Sequence, residues 1–74
     1  MSKKLPVLKT SELLRILFKY GFQPRRKKGS HLILYKEKTI LVVPIHKGKD
    51  IPRGTLENII KQAGLEIEDI IKLI

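Results

Sequence analysis

The sequence predicts an α+β domain: a two-layer α-β-β-β-α sandwich closed by a short C-terminal helix. Three observations carry this expectation. Apolar residues recur at helical spacing near both ends of the chain, β-branched and aromatic runs fill its middle, and turn-forming residues stand at the junctions. A chain of 74 residues stabilises one hydrophobic core and no more, so residues 1–74 are expected to form a single domain.

The first helix is expected over residues 10–20, where Leu13, Ile16, Leu17 and Tyr20 repeat at i, i+3, i+4 and i+7 and so line one face. Thr10 or Ser11 supplies a hydroxyl to cap its start. Gly21 suits the left-handed conformation that ends a helix, with Phe22 folding back onto the last turn. Residues 23–28 then form a short edge strand, because Pro24 has no N–H to give to a ladder. Gly29 and Ser30 turn the chain into a hairpin over residues 31–35 and 39–43. A tight turn centred on Glu37 and Lys38 sets Tyr35 opposite Ile40, Ile33 opposite Val42 and His31 opposite Pro44.

Pro44 closes the third strand, and residues 46–50 form a polar loop with Gly48 at its middle. Pro52 fits the first turn of a second helix, where its missing N–H costs nothing. Leu56, Ile59, Ile60 and Ala63 make the apolar stripe of that helix, Gly64 stops it, and Arg53, Lys61 and Gln62 face water. Ile67, Ile70, Ile71 and Ile74 recur at helical spacing over residues 66–74, and Glu66, Glu68 and Asp69 suit a helix N-terminus, giving a short third helix. Both main helices are expected on one face of the sheet.

The bulk composition narrows the function. Without cysteine the chain has no disulfide framework, thiolate zinc site or cysteine nucleophile, which fits a reducing compartment and makes the cytoplasm the default location. No segment approaches the run of about 20 apolar residues that a membrane-spanning helix needs, so no membrane partner is expected. Sixteen Lys and Arg against seven Asp and Glu give a net charge of +9, which points to polyanionic partners bound through counterion release. The cations are unevenly spread: Arg25, Arg26, Lys27 and Lys28 run together, and Lys47 and Lys49 form a second group. In a regular strand the first four alternate between faces, so only half of them meet one ligand.

Proton transfer near neutral pH needs an imidazole or a tuned carboxyl, and the two histidines are the candidates. His31 shares a strand face with Ile33 and Tyr35, and in the expected register His46 continues that face, roughly 7 to 8 Å away across neighbouring strands. His31 follows Gly29 and Ser30, whose backbone N–H groups can approach a phosphate, and comes just after the run of four cations. His46 has the weaker setting and suits an accessory role. No carboxylate or histidine cluster accompanies His31, so chemistry without a metal or other cofactor is expected. The residues alone leave open whether His31 is catalytic or whether the surface only binds RNA.

Five blocks, in order and at matching spacing, resemble the HicA family of toxin–antitoxin ribonucleases. They are Gly21-Phe22, Gly29-Ser30-His31, Pro44-Ile45-His46, Gly54-Thr55-Leu56 and Ile59-Ile60-Lys61-Gln62-Ala63-Gly64. Two departures are small: Ile60 stands where leucine is commoner, and Pro24 lies in the first strand. The resemblance implies a fold like a double-stranded-RNA-binding domain, cleavage of messenger RNA that arrests translation, and neutralisation by a HicB-type antitoxin. It also implies that His31 is the catalytic histidine, with Lys28, Gly29 and Ser30 beside the reacting phosphate. The alternative in another class is a non-catalytic module that recognises double-stranded RNA by shape. A DNA-binding regulator is a third possibility, and no helix-turn-helix supports it.

Overall fold

A computed structural model describes residues 4–74; Met1 to Lys3, which the single-domain expectation includes, lie outside the described residues. The elements are α1 (Thr10–Lys19), β1 (Gln23–Lys28), β2 (His31–Lys36), β3 (Thr39–Pro44), α2 (Arg53–Gln62) and α3 (Ile67–Lys72). The three strands form one antiparallel sheet in the order β1-β2-β3, so the α-β-β-β-α arrangement with a third short helix is the one the sequence predicts.

Two-residue turns fix the hairpins. The β2–β3 register pairs His31 with Pro44, Ile33 with Val42 and Tyr35 with Ile40, as expected from a turn at Glu37 and Lys38. Glu37 enters the left-handed region with φ 54°, a conformation that this tight connection demands and that a side chain resists. Alternation along each strand then sorts the side chains. Leu34, Leu41 and Val43 are buried against the helices, while Tyr35, Ile40 and Val42 face outward and are exposed.

The helices close the inner face. Leu13, Ile16 and Leu17 of α1, Leu56, Ile59 and Ile60 of α2, and Ile70 of α3 join the buried sheet residues in one core with Phe22. Arg53, Lys61 and Gln62 face solvent as expected. Gly21, at φ 99°, ends α1: its N–H bonds the Phe18 carbonyl at 3.1 Å, and the Phe22 N–H reaches back to the Leu17 carbonyl at 3.1 Å. These two bonds satisfy carbonyls that the helix end leaves unpaired, and they carry the Phe22 ring into the core. Gly64 ends α2 in the same way, through Gly64 N–H to Lys61 O and Leu65 N–H to Ile60 O.

Three features depart from the sequence-based expectation. The cap of α1 is Lys9, not Thr10 or Ser11: the Lys9 N–H donates to the Glu12 carboxylate at 2.9 Å, and the Thr10 hydroxyl is used elsewhere. Leu8 and Ile51, from segments without periodicity, are core residues, joined by a 2.8 Å bond from the Ile51 N–H to the Leu8 carbonyl. The isoleucine stripe of α3 is only partly covered, with Ile70 buried but Ile71 and Ile74 exposed.

Candidate functional site

His31 opens β2, directly opposite Lys28 of β1 on one side and Pro44 of β3 on the other. Residues that pair across an antiparallel ladder project to the same face, so His31 and Lys28 stand together on the outer, helix-free side of the sheet. Its side chain is exposed and makes no hydrogen bond or ion pair with any described residue. The ring is therefore open to a ligand.

The cation run does not follow simple alternation. The β1–β2 register shifts between Pro24 and Arg26, so Pro24 opposes Leu34, Arg26 already opposes Ile33, and Arg25 is the extra residue of a bulge. Arg26 and Lys28 therefore share the outer face with Ile33 and His31, and Lys27, opposite Leu32, belongs to the other face. Arg25, which has no partner across the ladder, lines a shallow cavity of about 300 Å³ with Pro24 and Tyr35. The register thus puts Arg26 and Lys28, half of the run, on the face of His31, with Arg25 at the bulge beside Tyr35. Every residue of β1 is exposed, so the field of these cations reaches solvent directly.

The turn and the loop that border His31 are joined. The Ile45 N–H donates to the Ser30 carbonyl at 2.7 Å, extending the β2–β3 ladder one step past the strand end. Because Ile45 faces β2, the flanking Pro44 carbonyl and His46 N–H point to the free edge of β3. Thr10 meets them there: its hydroxyl donates to the Pro44 carbonyl at 3.5 Å and accepts from the His46 N–H at 3.4 Å. The start of α1 thereby anchors His46, which is exposed, at the same end of the sheet as His31.

Gly29 takes φ 58° in the two-residue turn before His31, and Ser30 follows it at the surface. No atom lies near the space a Gly29 side chain would fill, so backbone conformation rather than close packing calls for glycine there. Lys47 and Lys49 are exposed in the loop after His46, which a bond from the Lys49 N–H to the His46 carbonyl at 3.2 Å tightens around Gly48. Asp50 closes that loop against Lys9 at 3.7 Å. The turn and the loop thus bring Gly29, Ser30, His31, His46, Lys47 and Lys49 to one end of the molecule.

Two residues of this region are not among the candidate site residues that the sequence offers. By local rules the Thr10 hydroxyl suits a helix cap, and nothing local signals a contact with residues 34 and 36 positions away. Strand alternation alone puts Tyr35 on the His31 face. An aromatic residue at the same strand parity as a candidate histidine is the sequence signal that singles it out.

Comparison with known proteins gives one family. The family model described as the HicA toxin of bacterial toxin–antitoxin systems matches residues 10–65, which span α1 to the turn after α2. No curated protein matches the chain.

Proposed function

The chain belongs to the HicA toxin family, and from that premise we propose that it is a metal-independent endoribonuclease that cuts messenger RNA at a phosphodiester presented to His31. The observation that carries this reading is an exposed imidazole with Lys28 directly across the ladder. In the proposed reaction, His31 takes the proton of a ribose 2′-hydroxyl, the 2′ oxygen attacks the adjacent phosphorus, and the bond to the 5′ oxygen breaks, leaving a 2′,3′-cyclic phosphate and a 5′ oxygen that takes a proton from solvent water to depart as a hydroxyl. Lys28 and the backbone N–H groups of Gly29 and Ser30 stabilise the negative charge that gathers on the phosphoryl oxygens. The attacking hydroxyl exists only in RNA, which accounts for the choice of RNA over DNA.

Arg25, Arg26, Lys47 and Lys49 contribute affinity through phosphate contacts, which position the strand without reading its sequence, while Lys27, on the other face of the sheet, adds only to the overall positive field. His46, held by the Thr10 hydroxyl, serves as an accessory group at the same end of the sheet. The antitoxin expected of this family is, in our reading, a HicB-type protein whose acidic surface covers His31 and the β1 cations, blocking the substrate by occupancy and by charge. A complex that left His31 open to solvent would contradict that part of the proposal.

The test is cleavage of end-labelled RNA by the wild-type protein and by His31→Ala, each with excess EDTA. The expected result is product from the wild type and none from the variant, with RNA binding kept by both. Wild-type cleavage by His31→Ala would refute the assignment of the base. Cleavage abolished by EDTA would instead identify metal-dependent chemistry, and tight binding without any product would identify a non-catalytic RNA-binding module.

A further inference from the structure

The outer face of the sheet carries more than charge. Tyr35, Ile40 and Val42 are respectively 38%, 47% and 48% exposed, and with Ile33 they form an open apolar strip across β2 and β3. Water-exposed apolar side chains clustered on a sheet face ask for a partner, and the surroundings indicate which kind. The residues that the register places on this face, from Gln23, Arg26 and Lys28 through His31 to Pro44, include no acid. Along its β1 side run Arg25, Arg26 and Lys28. An apolar surface with a flat aromatic ring, flanked by cations and free of carboxylates, matches unpaired nucleotides: bases for the ring, phosphates for the cations.

Tyr35 is the point of contact. It lies on the same strand face as His31 and four residues along, hence about 13 Å away at the rise of a β-strand. Its hydroxyl donates to the Gln23 side-chain oxygen at 3.3 Å, which holds the ring relative to β1. The cavity it shares with Pro24 and Arg25, about 300 Å³, is bordered by a guanidinium-bearing side chain. Guanidinium and aromatic planes are the two surfaces on which splayed RNA bases stack.

We propose that Tyr35 and Arg25 form a base-stacking subsite for single-stranded RNA, which seats a nucleotide flanking the one whose phosphate reaches His31. The subsite rests on the ribonuclease reading for its position relative to the cut. It makes the substrate single-stranded, because a base inside a duplex cannot lie on the ring. Arg26 and Lys28 then follow the backbone between the stacked base and His31.

Binding measured in a His31→Ala background separates this inference from the ribonuclease reading, since it needs no cleavage. The probes are a fluorescent oligouridylate, which has little structure of its own, and a fluorescent RNA duplex. Tyr35→Phe keeps the ring and loses only its bond to Gln23, so it should keep most of the parent's affinity for oligouridylate. Tyr35→Leu keeps the bulk and loses the stacking plane, and its affinity for oligouridylate should fall roughly 5- to 150-fold, with duplex affinity unchanged. Thermal unfolding at the parental temperature shows that each variant is folded. Equal oligouridylate affinity for parent and Tyr35→Leu would overturn the inference, as would equal losses on both probes. Loss of antitoxin binding by Tyr35→Leu, with RNA affinity intact, would assign the face to a protein partner and overturn it too.

Discussion

Replacing Thr10 with valine removes one hydroxyl and little else, since the two side chains have nearly the same shape. The effect follows from where that hydroxyl sits. Thr10 is 6% exposed, so water cannot readily replace what it provides to the Pro44 carbonyl and the His46 N–H. Leaving buried polar groups without a partner costs about 1 to 3 kcal/mol, more than the net worth of the bonds themselves. Both bonds are long, at 3.5 and 3.4 Å, and the loop can move toward solvent once released, which places the expected cost near the lower end, about 1 to 2 kcal/mol. For a domain of this size each kcal/mol lowers the melting temperature by roughly 4 to 8 °C. Thermal or urea unfolding gives the first readout, and hydrogen exchange at the His46 amide gives the second. Thr10→Val should lower stability and speed exchange at His46, whereas Thr10→Ser, which keeps the hydroxyl, should keep most of the protection. Stability within about 0.5 kcal/mol of the wild type, the range of a neutral surface change, together with unaltered His46 exchange, would refute the anchoring role.

Two further perturbations test the fold around the site. Glu37→Gly removes a side chain from a left-handed turn position and should stabilise the domain by about 0.5 to 1 kcal/mol in urea unfolding; a loss of stability would mean that the Glu37 side chain matters more than its backbone strain. Tyr20 supplies a pH dependence: burial first, and the Asp69 carboxylate second, push its hydroxyl above the ordinary value of 10.0, and the neutral form donates to the Asp69 carbonyl at 3.0 Å. The folded state therefore holds the Tyr20 proton more tightly than the unfolded chain does. That stabilisation is complete below about pH 10 and is lost as pH rises through the raised folded value. Over that range the wild type should lose stability more steeply than Tyr20→Phe, and parallel profiles for the two proteins would rule the linkage out.

Much of the fold was legible because its signals are local. The i, i+3, i+4, i+7 pattern of Leu13, Ile16, Leu17 and Tyr20 fixes which face of α1 turns inward, and a two-residue turn at Glu37 and Lys38 fixes the β2–β3 register. That register in turn puts His31, Ile33 and Tyr35 on one face, so the strand position and face of the candidate histidine followed from neighbours a few residues away. Gly21 and Gly64 marked helix ends because only residues that tolerate positive φ close a helix in this way.

The sequence alone determined the order of elements and the inward faces, which depend on spacing along the chain, and the excess of positive charge, which depends on composition. Tertiary structure decided the rest. An edge strand with no buried residue has no hydrophobic alternation to set its phase, so the bulge that turns Arg25 toward Tyr35 left no trace in the apolar pattern. Leu8 and Ile51 are buried only because the N-terminal segment and the loop before α2 meet each other. Thr10, as good a cap as any hydroxyl by local rules, instead pairs with the free edge of β3, because packing brings that edge to the start of α1 and leaves two backbone groups there in need of partners.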